Sequence, residues 1–66
     1  MRRITVNGEL RETSATDLDG LFAELDLPTP LMLVEYNGAA LTRSEWQKII
    51  ISDGDRLELM KVAAGG

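Results

Sequence analysis

Read as the end of the chain, Gly65-Gly66 is the feature best suited to chemistry. Glycine has no Cβ, so its backbone passes through a narrow channel and approaches a bound nucleotide closely. A terminal α-carboxyl has a pKa of roughly 3.3–3.7, so the carboxylate of Gly66 is charged at neutral pH. Such an oxygen can attack the α-phosphate of ATP. The acyl-adenylate that results has AMP as a leaving group, which a sulfur nucleophile can displace. Ala63 and Ala64 precede the pair, and none of these residues can fill a core. The composition predicts a flexible tail over 63–66 behind a folded domain over 1–62.

The rest of the chain holds no machinery for that activation. It has neither cysteine nor histidine. That excludes a Cys/His metal site and a Ser-His or Cys-His nucleophile pair. It also leaves the redox compartment unread. No GxxxxGK[ST] loop or basic cluster is present to clamp a triphosphate. No carboxylates are placed to shift each other's pKa in a cleft. The expectation is a protein substrate and carrier, not an enzyme, that binds no cofactor or metal of its own. ATP and magnesium would belong to an activating partner. Seven basic residues against eleven acidic ones give a formal net charge of −4. This argues against nucleic acid and suits steering toward a basic partner. The apolar run Ile49-Ile50-Ile51 is too short to span a membrane, and Met1-Arg2-Arg3-Ile4 has no apolar stretch behind it. A cytoplasmic location is expected.

The elements that must position the tail can be read in order. Arg3-Ile4-Thr5-Val6 alternates, which predicts a strand with Ile4 and Val6 buried. Asn7-Gly8 favours a type I′ hairpin turn. Glu9 to Thr13 is the return strand, polar enough for a sheet edge, with Leu10 expected to face the core. Thr16 is the expected helix N-cap, and Asp17 and Asp19 complement the helix dipole. Leu18, Leu21, Phe22 and Leu25 form one apolar stripe over roughly three turns. Gly20 costs such a helix about 1 kcal/mol relative to Ala. Pro28 and Pro30 are expected to end it and begin a crossover.

Leu31 to Tyr36 is the next strand, with Val34 and Tyr36 inward. Asn37-Gly38 turns the chain into a short extended segment, Ala39 to Leu41. Arg43 to Trp46 reads as a helical turn with Ser44 as a possible cap, and Lys48 to Ile51 as another short strand. Asp53-Gly54-Asp55 is a turn, and Arg56-Leu57-Glu58-Leu59 opens the last strand. If Leu57 and Leu59 pack under the helix, Met60 and Val62 are exposed beside the tail. There they make a docking patch for a partner that grips the terminus. One helix across one side of a mixed sheet satisfies burial in two layers. With the first and last strands side by side at its centre, that is an α+β β-grasp, or ubiquitin-like, fold. It would have a mixed sheet of four to five strands and one main helix.

The sequence resembles the sulfur carrier protein of thiamine biosynthesis. The resemblance rests on Val34-Glu35-Tyr36-Asn37-Gly38, then Leu41, Arg43 and Trp46, then Asp53-Gly54-Asp55, and finally Val62 with Ala64-Gly65-Gly66. It implies that an E1-like adenylyltransferase activates Gly66. A sulfur donor such as a cysteine desulfurase then converts it to a thiocarboxylate. Thiazole synthase takes the sulfur for the thiazole of thiamine. Gly65 matches the preceding channel glycine, and Gly65 and Ala64 present the reactive group. Family members usually carry a larger aliphatic residue where this chain has Ala63. The nearest rival is the small subunit of molybdopterin synthase, whose chains tend to be longer, with prolines just before the final tail. A sulfur carrier of another pathway, a protein modifier and a plain interaction module are the remaining readings.

Overall fold

The two Asn-Gly pairs set the register of the molecule, described for residues 1–62 by a computed structural model. Asn7 and Gly8 take φ of 50° and 82°, and Asn37 and Gly38 take 50° and 88°. These left-handed values match the twist of a two-residue hairpin. The first turn joins β1 (Arg2–Val6) to β2 (Glu9–Thr13), and the second joins β3 (Met32–Tyr36) to β4 (Ala39–Leu41). Between the hairpins run helix α1 (Leu18–Glu24) and a 3-10 turn (Thr29–Leu31). After them come a single helical turn, α2 (Arg43–Trp46), and the last strand, β5 (Arg56–Lys61).

The described strands form a five-stranded sheet in the order β2-β1-β5-β3-β4. β1 and β5 lie parallel at its centre, and each hairpin flanks them as an antiparallel pair. The helix stripe covers one face. Leu18, Leu21 and Phe22 are buried against Ile4, Val6, Val34, Leu57 and Leu59, with Leu25 partly buried beside them. This is the expected β-grasp. No helix among the described residues is long and apolar enough to cross a membrane.

Several local expectations are corrected. Leu10 is 69% exposed. The turn pairs Val6 with Glu9, so Leu10 falls opposite Thr5 on the outer face. A two-residue loop fixes that parity whatever the hydrophobicity of the side chain. Thr13 is the inward residue of β2, and its hydroxyl donates to Glu24 Oε2 at 2.7 Å.

The cap of α1 is Asp17, not Thr16. Its Oδ1 accepts the Gly20 N–H at 2.8 Å. A Cβ on Gly20 would lie 3.1 Å from that oxygen, so the helix-weakening glycine leaves room for the cap. The helix is about two turns long and stops before the prolines. Asp26 at φ 56° and the bonds Asp26 N to Ala23 O and Leu27 N to Phe22 O form a Schellman ending.

Thr42, not Ser44, is the N-cap of α2, and the Glu45 carboxylate reaches back to accept the Thr42 N–H at 2.8 Å and the Thr42 hydroxyl at 3.0 Å. Lys48 to Ile51 is not a strand. Lys48 and Ile49 donate back to Glu45 and Trp46, which prolongs the helical turn and leaves no extended segment to pair. Ile51 still enters the core, and its N–H bonds Thr16 O at 2.9 Å.

Candidate functional site

The alternation of β5 separates two kinds of side chain. Leu57 and Leu59 point under α1 and are 0% and 6% exposed. Met60 and Val62 are 47% and 43% exposed. This is the expected placement of both docking candidates. β5 pairs with β3 along its length, and the Val62 N–H continues the pairing by donating to Leu31 O at 2.7 Å. The base of the predicted tail is therefore held by the sheet up to Val62. Ala63, Ala64, Gly65 and Gly66 lie outside the described residues.

The pairing adds a residue that sequence reading missed. Leu33 lies directly opposite Met60 and is 51% exposed. Its signal was available: if Val34 faces inward, Leu33 faces outward, and a leucine there has no core to fill. Leu33, Met60 and Val62 thus form an apolar outer patch at the tail end of the sheet. The next row on that face is Glu35 opposite Glu58. The patch is apolar with an acidic border, on open sheet surface. The clefts around Trp46, beside Leu10 and under the end of α1 are lined by other residues. A flat apolar surface of this kind suits a protein partner better than a small molecule, which needs a concave pocket.

The other sequence candidates are absorbed by the fold. Asp53 Oδ1 accepts the Arg3 N–H at 2.8 Å. Asp55, 7% exposed, accepts from the Tyr36 hydroxyl at 2.6 Å, the Ser52 N–H at 2.8 Å and the Asn37 amide at 3.2 Å. Burial pushes its carboxyl up, but these three donors outweigh it and hold the pKa below the ordinary value. In return the bond to Asp55, aided by burial and the carboxylate charge, pushes Tyr36 up to about 12. The two aspartates tie strands together. Among the described residues no cluster of His, Cys, Asp and Glu could hold a metal ion.

Trp46 is buried, with its ring edge-on to Phe22 at a centroid distance of 5.4 Å. The Arg43 guanidinium lies 4.8 Å from the Trp46 centroid and donates to the carbonyls of Thr29 and Pro30. These residues pin the 3-10 turn before β3 onto α2, which is a packing role.

Comparison with known proteins places the whole chain. The model of the ThiS family matches residues 4–66. An uncharacterised protein, ycf40, of Trieres chinensis is 32% identical over 62 residues, covering 92% of this chain and 85% of that protein. A thiazole synthase of Paramagnetospirillum magneticum is 31% identical over 65 residues. That match covers 97% of this chain but only 20% of the synthase. The crystal structure of a thiamine biosynthesis protein (ThiS) from Geobacter metallireducens superposes with a TM-score of 0.80 at 26% identity. It covers 97% of this chain and 99% of that one.

Proposed function

The chain belongs to the ThiS family, and from that premise we propose that it is a sulfur carrier of thiamine biosynthesis whose reactive atom sits on Gly66. The observation that carries the reading is the extent of the family match, which runs through Gly65 and Gly66. That extent supports reading the glycine pair as part of the family pattern.

In this reading an E1-like adenylyltransferase docks on the Leu33, Met60 and Val62 patch and threads the tail toward its ATP. The Gly66 carboxylate attacks the α-phosphate, the α–β bond breaks, and pyrophosphate leaves. The terminal sulfur of a donor enzyme's persulfide, such as that of a cysteine desulfurase, displaces AMP to give an acyl disulfide. A thiol then cleaves the S–S bond, leaving a disulfide as the oxidised by-product and the thiocarboxylate on the glycine. Its sulfur is softer and more nucleophilic than the carboxylate oxygen, which suits attack on a carbon electrophile. Thiazole synthase is the proposed acceptor, in the cytoplasm, and the similarity to one-fifth of a thiazole synthase supports that choice over molybdopterin synthase. ATP and magnesium act on the activating partner. The chain contributes no acid or base, only the carboxylate and the surface that delivers it.

Intact-mass spectrometry tests the reading directly. The chain is incubated with ATP, magnesium, the cognate activating enzyme, a sulfur donor and a thiol reductant. The expected product is heavier by the exchange of one oxygen for one sulfur, located on Gly66 by fragmentation. No such species with a competent partner present overturns the carrier function.

A further inference from the structure

β5 outruns one of its two neighbours. On the β3 side it is paired from Arg56 to Lys61 and onward through Val62. On the other side β1 ends at Val6, opposite Leu57, where the chain turns away through Asn7-Gly8. The last backbone bond there runs from Asn7 N to Leu57 O at 2.9 Å. The next ladder step has no strand to make it. The Asn7 side chain makes it instead. Its Oδ1 accepts the Leu59 N–H at 2.7 Å, and its Nδ2 donates to Leu59 O at 3.1 Å.

A carboxamide carries the same donor and acceptor as a peptide group, so Asn7 continues the ladder one step past the end of β1. The turn itself does not require this. Its positive φ is met by Gly, Asp or Asn. Only Asn also supplies both halves of the clasp. Asp keeps the acceptor but sets a carboxylate against the Leu59 carbonyl, and Gly has neither. The second hairpin repeats the device at the other end of β5, where Asn37 Oδ1 accepts the Arg56 N–H at 2.7 Å. The Asn7 clasp is the one next to Met60 and Val62.

We propose that Asn7 is a positioning residue for tail delivery: its amide fixes Leu59, and with it the direction in which the strand presents Met60 and Val62 to a partner. The proposal rests on the carrier reading. A strand held on one side only can pivot about its β3 pairing, and each misdirected approach lowers the fraction of encounters that place the tail at the nucleotide.

The test uses the full chain with Asn7→Gly, which keeps the turn and removes the clasp, and Asn7→Asp, which restores the acceptor half. Amide hydrogen exchange and adenylation kinetics are measured at a temperature where every variant is folded. In Asn7→Gly the Leu59 amide should exchange about tenfold faster, the net worth of one lost hydrogen bond, while the Asn7–Leu57 step keeps its protection. The kcat/KM for adenylation of the chain should fall several-fold, and Asn7→Asp should recover part of both effects. Unchanged exchange at Leu59 overturns the clasp. Faster exchange with unchanged kcat/KM reduces Asn7 to a structural role and overturns the proposal. A wild-type chain that is never adenylated brings down the carrier reading and the positioning role together, while the exchange data still show whether the clasp exists.

Discussion

On the proposed carrier reading, the two faces of β5 divide the work of this protein. Leu57 and Leu59 are sealed under α1, whereas Met60 on the same strand and Val62 just past its end stand out at nearly half exposure. The inner residues hold together a small domain whose 66-residue chain has no cysteine and so no disulfide to help it. A core of that size rarely supplies more than about 3–5 kcal/mol. The outer residues contribute little to that sum, so they are free to serve recognition. Stability and delivery are therefore separable by mutation, although a single peptide bond parts Leu59 from Met60.

The largest separation is expected at the tail. Removing Gly66 should abolish adenylation and thiocarboxylate formation and leave the melting temperature unchanged, measured by intact mass and thermal denaturation. A truncated chain that still accepted AMP would contradict the assignment of the reactive atom.

The inner face gives the opposite pattern. Leu57→Ala should cost about 2–5 kcal/mol and leave much of the chain unfolded at room temperature, as read by urea denaturation. Whatever fraction remains folded should still be activated. Loss of activity beyond the unfolded fraction would show that the inner face also acts in delivery.

The outer face is predicted to be milder. Met60→Glu, Val62→Glu or Leu33→Glu should weaken binding to the activating enzyme by about 1–2 kcal/mol each in calorimetry. Their effect on stability should stay within about 0.5 kcal/mol. A drop in melting temperature with unchanged affinity would dissolve the distinction between the faces.

The smallest effect sharpens the structural side. Tyr36 is the only tyrosine, so its ionisation is visible in the ultraviolet spectrum. In the folded chain it should titrate near 12, against an ordinary value of 10.0. Asp55→Asn should return it toward the ordinary value. The raised Tyr36 pKa means that its stabilisation is present below pH 10.0 and is lost as pH rises toward 12. Asp55 behaves oppositely. Its folded pKa is depressed, so its contribution is full at neutral pH and fades as pH falls below the ordinary carboxylate value of 3.8. A Tyr36 titration unmoved by Asp55→Asn would refute the bond between them.

Sequence by itself determined what depends on local pattern. The period-two alternation of β1 and β5, the Asn-Gly turns and the apolar stripe of α1 fixed the element order and hence the β-grasp layout. The same alternation placed Met60 and Val62 outward. The chemistry proposed for Gly65-Gly66 rests on residue type alone, and those residues lie outside the described structure. Tertiary structure decided what depends on residues far apart in the chain. The side of β2 that Leu10 occupies follows from cross-strand register, which its hydrophobicity cannot override. The joining of Leu33 to Met60 needs the pairing of β3 with β5. The second role of Asn7 exists only because β5 continues where β1 stops, 52 positions away in the chain. A side-chain amide reads in sequence as a turn former. Only the fold supplies the unpaired peptide group that gives it something else to hold.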